Sequence, residues 1–242
     1  MKIALVLLTR NERACVEIVY PTLPPPGAHS GFDEIYVVDG GSTDGTREFF
    51  EQHGVRVIGQ SERGRGHAFQ IAFQRIDADA FIFFSPDGNE DPRDLPRFRP
   101  ALENGADLVI ASRMMRGAHN EEDEQLLKWR KWANKAFNLL ANLAFRRNGP
   151  YVTDSINGFR AITRAAAAKL ALDASDYTIE YQMTMRAMQN GLSIVEFPTH
   201  EGQRVAGETQ AASIPTGIRF LRAFGRELKR RHLSGQAEAA AP

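Results

Sequence analysis

The sequence contains one cysteine, no net charge and no long apolar run. With Cys15 alone, neither an intramolecular disulfide nor a cysteine-built zinc site can form. Its position in the first helical stretch suits a buried, inert thiol better than a nucleophile. Thirty basic and thirty acidic side chains cancel, so no global field draws the chain to nucleic acid. The six histidines show no metal-ligand spacing. At the N-terminus the unbroken apolar run extends only from Ile3 to Leu8, which is too short for the full pattern of a signal peptide. Nowhere does an apolar stretch approach the roughly 18 residues of a spanning helix. These absences predict a cytoplasmic protein, or one peripheral on the cytoplasmic face of a membrane.

What is present is ordinary in bulk and specific in pattern. A chain of 242 residues with 43% hydrophobic and 25% charged content can bury the core of one large α/β domain. Strand candidates are Ile3–Leu8, Glu34–Val38, Val55–Ile58, Ala80–Phe84 and Asp107–Ala111. Between them lie helix candidates at Glu12–Tyr20, Gly45–His53, Gly66–Ile76 and Asp94–Glu103. This alternation predicts a mostly parallel central sheet with helices on both faces. The second half predicts a long helix over Gln125–Phe145, helices at Arg164–Leu172 and Ile179–Gln189, a strand at Ser193–Phe197 and a final helix over Ile214–His232. Residues 1–233 read as a single domain, and the Ala-rich tail from Ser234 reads as disordered.

Two acidic turns carry the chemistry. Val-Val-Asp-Gly-Gly-Ser-Thr-Asp-Gly-Thr over residues 37–46 ends a buried strand at Asp39, and Gly40-Gly41 allow a tight turn there. Asp39 is placed to accept hydrogen bonds from a nucleobase or ribose, whereas Ser42 and Asp44 are helix-capping types. The second turn crowds Ser85, Asp87, Asn89, Glu90 and Asp91 at the exit of the Phe81–Phe84 strand. Oxygen ligands at alternate turn positions suit Mg2+ or Mn2+, with substrate phosphates completing the shell. Asp87 with Asn89 is the favoured pair; Glu90 and Asp91 also read as a solvated turn before a helix opened by Pro92. Ligands of open α/β sheets bind past the carboxyl ends of the strands, so the two turns point to a nucleotide and a divalent metal held side by side. No glycine-rich phosphate loop follows the first strand, since Thr9-Arg10-Asn11 is not one, which counts against a nucleotidyltransferase of similar architecture.

Several ordered blocks carry a family resemblance: Thr9-Arg10-Asn11-Glu12, Val37–Thr46, Gly64-Arg65-Gly66-His67-Ala68, Asp87–Pro92, Ala111-Ser112-Arg113, Thr153-Asp154 with Gly158-Phe159-Arg160, and Arg204–Thr209. Over residues 3–210 the chain resembles a family 2 glycosyltransferase of the Rossmann-like GT-A fold, nearest the dolichol-phosphate and polyprenyl-phosphate sugar synthases. That resemblance implies that Thr9, Asn11, Glu12 and Asp39 hold the nucleoside of a UDP- or GDP-sugar. It implies metal binding by Asp87 and Asn89, and diphosphate contacts from Arg65, where the family usually has lysine, and from Arg204. Three departures stand out. Ser85-Pro86-Asp87 replaces the family's Asp-X-Asp, Gly40 replaces a frequent second aspartate, and Gln210 replaces a lysine.

The acceptor side is read from charge. Lys128, Lys131, Lys135, Asn138 and Asn142 form one stripe of the long helix; Trp129, Trp132, Ala133, Ala136, Phe137, Leu140 and Leu143 form the opposite, apolar one. From Gln125 to Pro150 there are six basic residues and no acid, and Ile214–His232 carries five arginines and one lysine against Glu227. Such helices are either solvated faces or a surface for anionic lipid. By resemblance, Arg113, Arg130 and Arg160 fall among positions that meet an acceptor phosphate. Asp154 is either a general base or the residue that orients Arg160, and Glu180 reads as structural. Together these features predict an inverting transferase acting on polyprenyl phosphate. The alternatives are a soluble saccharide or small hydroxyl acceptor, or a non-catalytic nucleotide-sugar-binding relative.

Overall fold

The computed structural model describes residues 1–123, 128–207 and 213–239. Among these residues seven strands form one sheet: β1 (Ile3–Thr9), β2 (Glu34–Asp39), β3 (Arg56–Gly59), β4 (Ala80–Phe84), β5 (Leu108–Ser112), β6 (Arg160–Thr163) and β7 (Ile194–Pro198). The helices are α1 (Arg13–Val19), α2 (Thr46–Gln52), α3 (Arg65–Arg75), α4 (Phe98–Glu103), α5 (Trp129–Phe145), α6 (Arg164–Leu170), α7 (Ile179–Gln189) and α8 (Ser213–Ala239). A 3-10 turn over Pro92–Arg97 leads into α4. The strand order is β3-β2-β1-β4-β6-β5-β7. Every pairing is parallel except those of β6, which runs antiparallel to β4 and to β5.

Buried strands with apolar residues at every position feed two cores, one per sheet face. Ile3, Leu5 and Leu7 of β1 and Ala80, Ile82 and Phe84 of β4 meet α1, α2 and α4 on one side. Ala4 and Val6 of β1 and Phe81 and Phe83 of β4 meet α3, α5, α6 and α7 on the other. Phe69 of α3 stacks on Phe83 at 3.8 Å between ring centroids.

Three features depart from the sequence expectations. Strand β6 has no apolar run to betray it, because it opens with Arg160; yet Arg160, Ala161 and Ile162 are fully buried in the sheet. Helix α8 continues to Ala239, past the boundary set at His232. Alanine is the strongest helix former, and it outweighs Gly235 in that stretch; residues 240–242 of the expected disordered tail lie outside the described residues, as do 125–127 of the long helix.

The third departure is in α5, whose two stripes are mixed: Lys135 is exposed and Phe137 packs inward, but other members of each stripe face the opposite way. Asn138 and Asn142 face inward and are buried, while Trp129, Trp132, Leu139 and Leu143 are exposed. The inward amides are satisfied by the 152–155 segment. Asn142 accepts from Val152 N at 2.9 Å and donates to Val152 O at 2.8 Å, and Asn138 accepts from Ser155 N at 2.9 Å. Buried polar groups persist when they are paired in this way. On α8, Ile218, Leu221 and Leu228 are likewise exposed, and Phe220 and Phe224 seal the two helices through ring contacts with Phe137 and Phe145. Among the described residues no helix is long and apolar enough to cross a membrane.

Candidate active site

The chain builds β1, β2 and β3 outward in one direction and then returns to place β4 on the other side of β1. This reversal opens a crevice over the carboxyl ends of β1 and β4, where open α/β sheets bind ligands. The acidic turn after β2 and the one after β4 flank it. Two adjoining cavities occupy the crevice, one of about 420 Å3 and one of about 300 Å3. Arg65, Ser85, Asp87 and Tyr177 line both and form their common wall.

The first cavity is lined by Thr9, Glu12, Val38, Gln60 and Gly64 at the β1–β2 end and by Arg204 nearer Asp87. Asp39 is buried, and its carboxylate is engaged by its own turn. One oxygen accepts from Gly41 N at 3.0 Å and Ser42 N at 2.9 Å, and the other accepts from Thr9 Oγ1 at 3.2 Å. Asn11 is set apart from the cavity lining: it holds a left-handed conformation with φ of 54° and its amide oxygen accepts from Thr43 N at 2.8 Å. The Thr9–Glu12 block and the 39–46 turn thus brace one another. Asp44, expected to cap a helix, accepts from Arg13 N at 2.9 Å and from Thr46 N at 3.0 Å and so ties the start of α1 to the start of α2, whose N-cap is Gly45.

Arg65 stands at the junction. Its guanidinium pairs with Glu180 and donates to Ser85 Oγ at 3.3 Å. Glycine makes two close approaches here, one to backbone at Gly66 and one to the end of the Arg65 side chain at Gly158. A Cβ on Gly66 would lie 2.0 Å from Ala174 O, and one on Gly158 would lie 2.2 Å from Arg65 Nη2. Glu180, read as structural, does hold Arg65, but it also lines the second cavity.

At the β4 turn, Asp87 Oδ1 accepts from Asn89 N at 3.2 Å while Oδ2 lies 3.3 Å from Arg204 Nη1. Arg204 also pairs with Glu12 and donates to Ala206 O at 2.7 Å. The 201–207 segment rests on the turn through Val205 N to Asp87 O at 3.0 Å and Gly202 N to Asn89 O at 2.8 Å. Burial pushes the Asp87 carboxyl up, against the pull of the nearby Arg204 and Arg65. Burial pushes Glu90 well up, and the neighbouring Asp87 charge adds to it. Glu12 is raised by burial and held back by Arg204. Cys15 is buried, with its thiol against Ala206 O at 3.3 Å and burial pushing it up to about 11, so it stays protonated.

The donor set for a divalent ion is thin in charge. Among the described residues no group of three or more His, Cys, Asp or Glu is arranged around a metal position. Asn89 Oδ1, however, is buried and has no hydrogen-bond partner, which is an unusual condition for an amide oxygen. Beside Asp87, such an oxygen fits a hard cation that takes most of its remaining ligands from a substrate diphosphate.

The second cavity differs from expectation in how its arginines are held. Arg113 donates from Nε to Asp154 Oδ2 at 2.8 Å, from Nη2 to Oδ1 at 3.1 Å and from its backbone N to Oδ2 at 3.0 Å, while Nη1 reaches Glu201 at 2.8 Å. Asp154 is fully buried under this fork and lines neither cavity; here it holds Arg113, where the expected alternative to a general base is a hold on Arg160. Arg160 is corrected. It is fully buried, donates to Asn157 O at 2.6 Å, Glu180 O at 2.9 Å and Thr184 Oγ1 at 3.0 Å, and lines neither cavity. Burial pushes it down to about 10, with Glu180 and Asp154 opposing. Arg130 does line the cavity, paired with Glu121 at 2.7 Å.

Glu201, Glu121, Tyr177 and Gln60 join the site without having been anticipated. Glu201 had a signal, standing three residues before Arg204. Tyr177 had none, because the 173–178 loop carries no pattern and is brought in by its contact with Gly64 and Gly66. Glu208 and Thr209 of the last block, and Gln210 after it, lie outside the described residues.

Comparison with known proteins agrees with this geometry. The model of glycosyl transferase family 2 matches residues 28–169. Glycosyltransferase AglJ of Haloferax volcanii is 32% identical over 203 residues, covering 81% of this chain and 63% of that protein. The dolichol-phosphate mannosyltransferase of Pyrococcus furiosus is 26% identical over 95% of this chain and 64% of its own length. The chain therefore spans somewhat less than two thirds of the length of these two relatives. Among solved structures, glucosyl-3-phosphoglycerate synthase from Mycobacterium tuberculosis in complex with Mn2+, UDP and phosphoglyceric acid superposes with a TM-score of 0.66 at 24% identity, covering 96% of this chain and 78% of that one. The sheet, its helices and this superposition are those of the GT-A fold, and the chain belongs to glycosyltransferase family 2.

Proposed function

We propose that the protein moves a sugar from a nucleoside-diphosphate sugar to a polyprenyl phosphate at a membrane surface, inverting the anomeric centre. The observation that carries this reading is the shape of the second cavity. It shares the Asp87 wall with the first cavity and is also lined by Trp129, Ala133 and Phe137 of α5 and by Gly217 and Phe220 of α8. A lining of arginines and carboxylates beside aromatic and small apolar residues suits a phosphate on a hydrocarbon tail. The names of relatives point the same way, including a polyprenol monophosphomannose synthase of Mycolicibacterium smegmatis that is 30% identical over 187 residues.

In this reading the nucleoside lies along Thr9, Glu12 and Gln60, with Asp39 shaping the turn beneath it. Asp87 and Asn89 hold Mg2+ or Mn2+, and the metal's part is to neutralise charge on the diphosphate. Arg204 exchanges its Glu12 and Asp87 partners for phosphate oxygens, and Arg65 faces the same charge from the wall. The acceptor's phosphate oxygen bonds to the anomeric carbon as the bond to the diphosphate breaks, and the electron pair leaves with the nucleoside diphosphate. An ionised phosphate needs no base, which is consistent with the burial of Asp154. Arg113 and Arg130 meet the acceptor phosphate from the opposite side.

A second reading has a soluble saccharide as acceptor. It is favoured by the carboxylates of the same cavity: Asp87, Glu90, Glu121, Glu180 and Glu201 outnumber Arg65, Arg113 and Arg130, and carboxylates bind sugar hydroxyls. Incubating the protein with UDP- and GDP-sugars, Mn2+ and polyprenyl phosphate in detergent, followed by mass spectrometry, tests both. A glycosylated phospholipid is expected. Donor hydrolysis without lipid product favours the soluble acceptor, and nucleotide binding without turnover makes the protein a non-catalytic nucleotide-sugar binder.

A further inference from the structure

The metal turn has lost a carboxylate at position 85 relative to the family's Asp-X-Asp pattern, and another carboxylate lies against the same place. Glu90 folds back across the turn so that its Oε2 accepts from Ser85 N at 2.8 Å. It lines the second cavity together with Ser85, Asp87 and Asn89. The other carboxylates of that cavity are committed to arginine: Glu180 to Arg65, Glu201 to Arg113 and Glu121 to Arg130. Glu90 forms no ion pair among the described residues. One of its oxygens holds the backbone where the missing aspartate would begin, leaving the other for the cavity.

We infer that Glu90 supplies the second carboxylate of the metal site, replacing from five residues downstream the charge that Ser85 lacks. This inference rests on the proposed metal-dependent donor site. Together with Asp87 and the unpartnered Asn89 Oδ1, Glu90 would offer a bound cation two carboxylates and one neutral oxygen. That restores the charge of an Asp-X-Asp pair without restoring its spacing. Ser85 Oγ meanwhile accepts from Arg65, which ties the serine to the wall rather than to the ion. A hard cation takes its affinity largely from the number of charged oxygens around it.

The test is calorimetric titration of Mn2+ into the protein with UDP present, comparing the natural chain with Glu90→Gln, Ser85→Asp/Glu90→Gln and Asp87→Asn. Glutamine keeps an acceptor for Ser85 N, so the turn stays braced and the thermal midpoint is expected to hold. Glu90→Gln is expected to weaken Mn2+ binding by about tenfold or more, and Ser85→Asp in that background to recover most of it. An unchanged affinity in Glu90→Gln alongside a loss in Asp87→Asn overturns the inference while leaving the donor site standing. A loss in Glu90→Gln that Ser85→Asp does not recover also overturns it, since Glu90 would then only brace the turn. If UDP binding by the natural chain is indifferent to Mn2+, the proposed donor site falls and the inference with it.

Discussion

Replacing Asp154 by asparagine removes the charge that grips Arg113 through three hydrogen bonds. Because the aspartate is fully buried and the arginine nearly so, the substitution leaves a cation short of a partner, at a cost of about 3 kcal/mol in unfolding free energy. Its kinetic effect should follow Arg113. The KM for acceptor is expected to rise while the KM for donor stays put, and Asp154→Asn combined with Arg113→Ala should be no worse than Arg113→Ala alone. Steady-state kinetics with each substrate varied in turn checks this. A direct proton-transfer role would instead lower kcat, with an added pH dependence. The same distinction applies to Arg160, which serves the site through the backbone of Asn157 and Glu180 rather than through any ligand.

Helix α5 shows what hydrophobic periodicity can and cannot reveal. The alternation of strands and helices and the two acidic turns were legible because each is local: a run of apolar residues, a tight turn. The faces of α5 were not, because burying tryptophan is only the better choice when no backbone nearby needs an amide. The 152–155 segment needs two, and Asn138 and Asn142 turn inward to meet it. Strand β6 escaped for a related reason, as its first residue is an arginine held largely by Glu180 O and Thr184 Oγ1 of α7. The arrangement of α5 has a direct test by chemical denaturation. Asn142→Ala should lose about 3 kcal/mol, because it strands both polar groups of the buried Val152 peptide. Leu143→Ser, one residue on but 76% exposed, should change stability by no more than about 0.5 kcal/mol.

For the whole molecule, the outward stripe Trp129, Trp132, Leu139 and Leu143 and its counterpart Ile218, Leu221 and Leu228 lie on packed helices. Lys135 on α5, Arg146 and Arg147 just past its end, and Arg219, Arg222, Arg226 and Lys229 on α8 are exposed beside them. Although the chain is neutral overall, this concentration of cations gives one side of it a positive field, with each residue near an anionic surface contributing about 1 kcal/mol. Sedimentation with phosphatidylserine or phosphatidylglycerol vesicles should carry the protein down at low salt. Raising the salt should release it as the screening length shrinks, and Trp132→Ser with Leu143→Ser should release it at any salt. The cleft has a longer-term consequence as well. Arg65 faces both cavities, and Gly158 and Glu180 fix where it stands. Under the proposed reading, substitutions at Gln60 or Thr9 would adjust the base that is recognised, and substitutions at Trp129 or Glu121 the acceptor, each in its own cavity. A change at the shared wall alters both at once. A lineage built on this chain can therefore diversify its donors and its acceptors as independent traits, provided the middle of the cleft stands still.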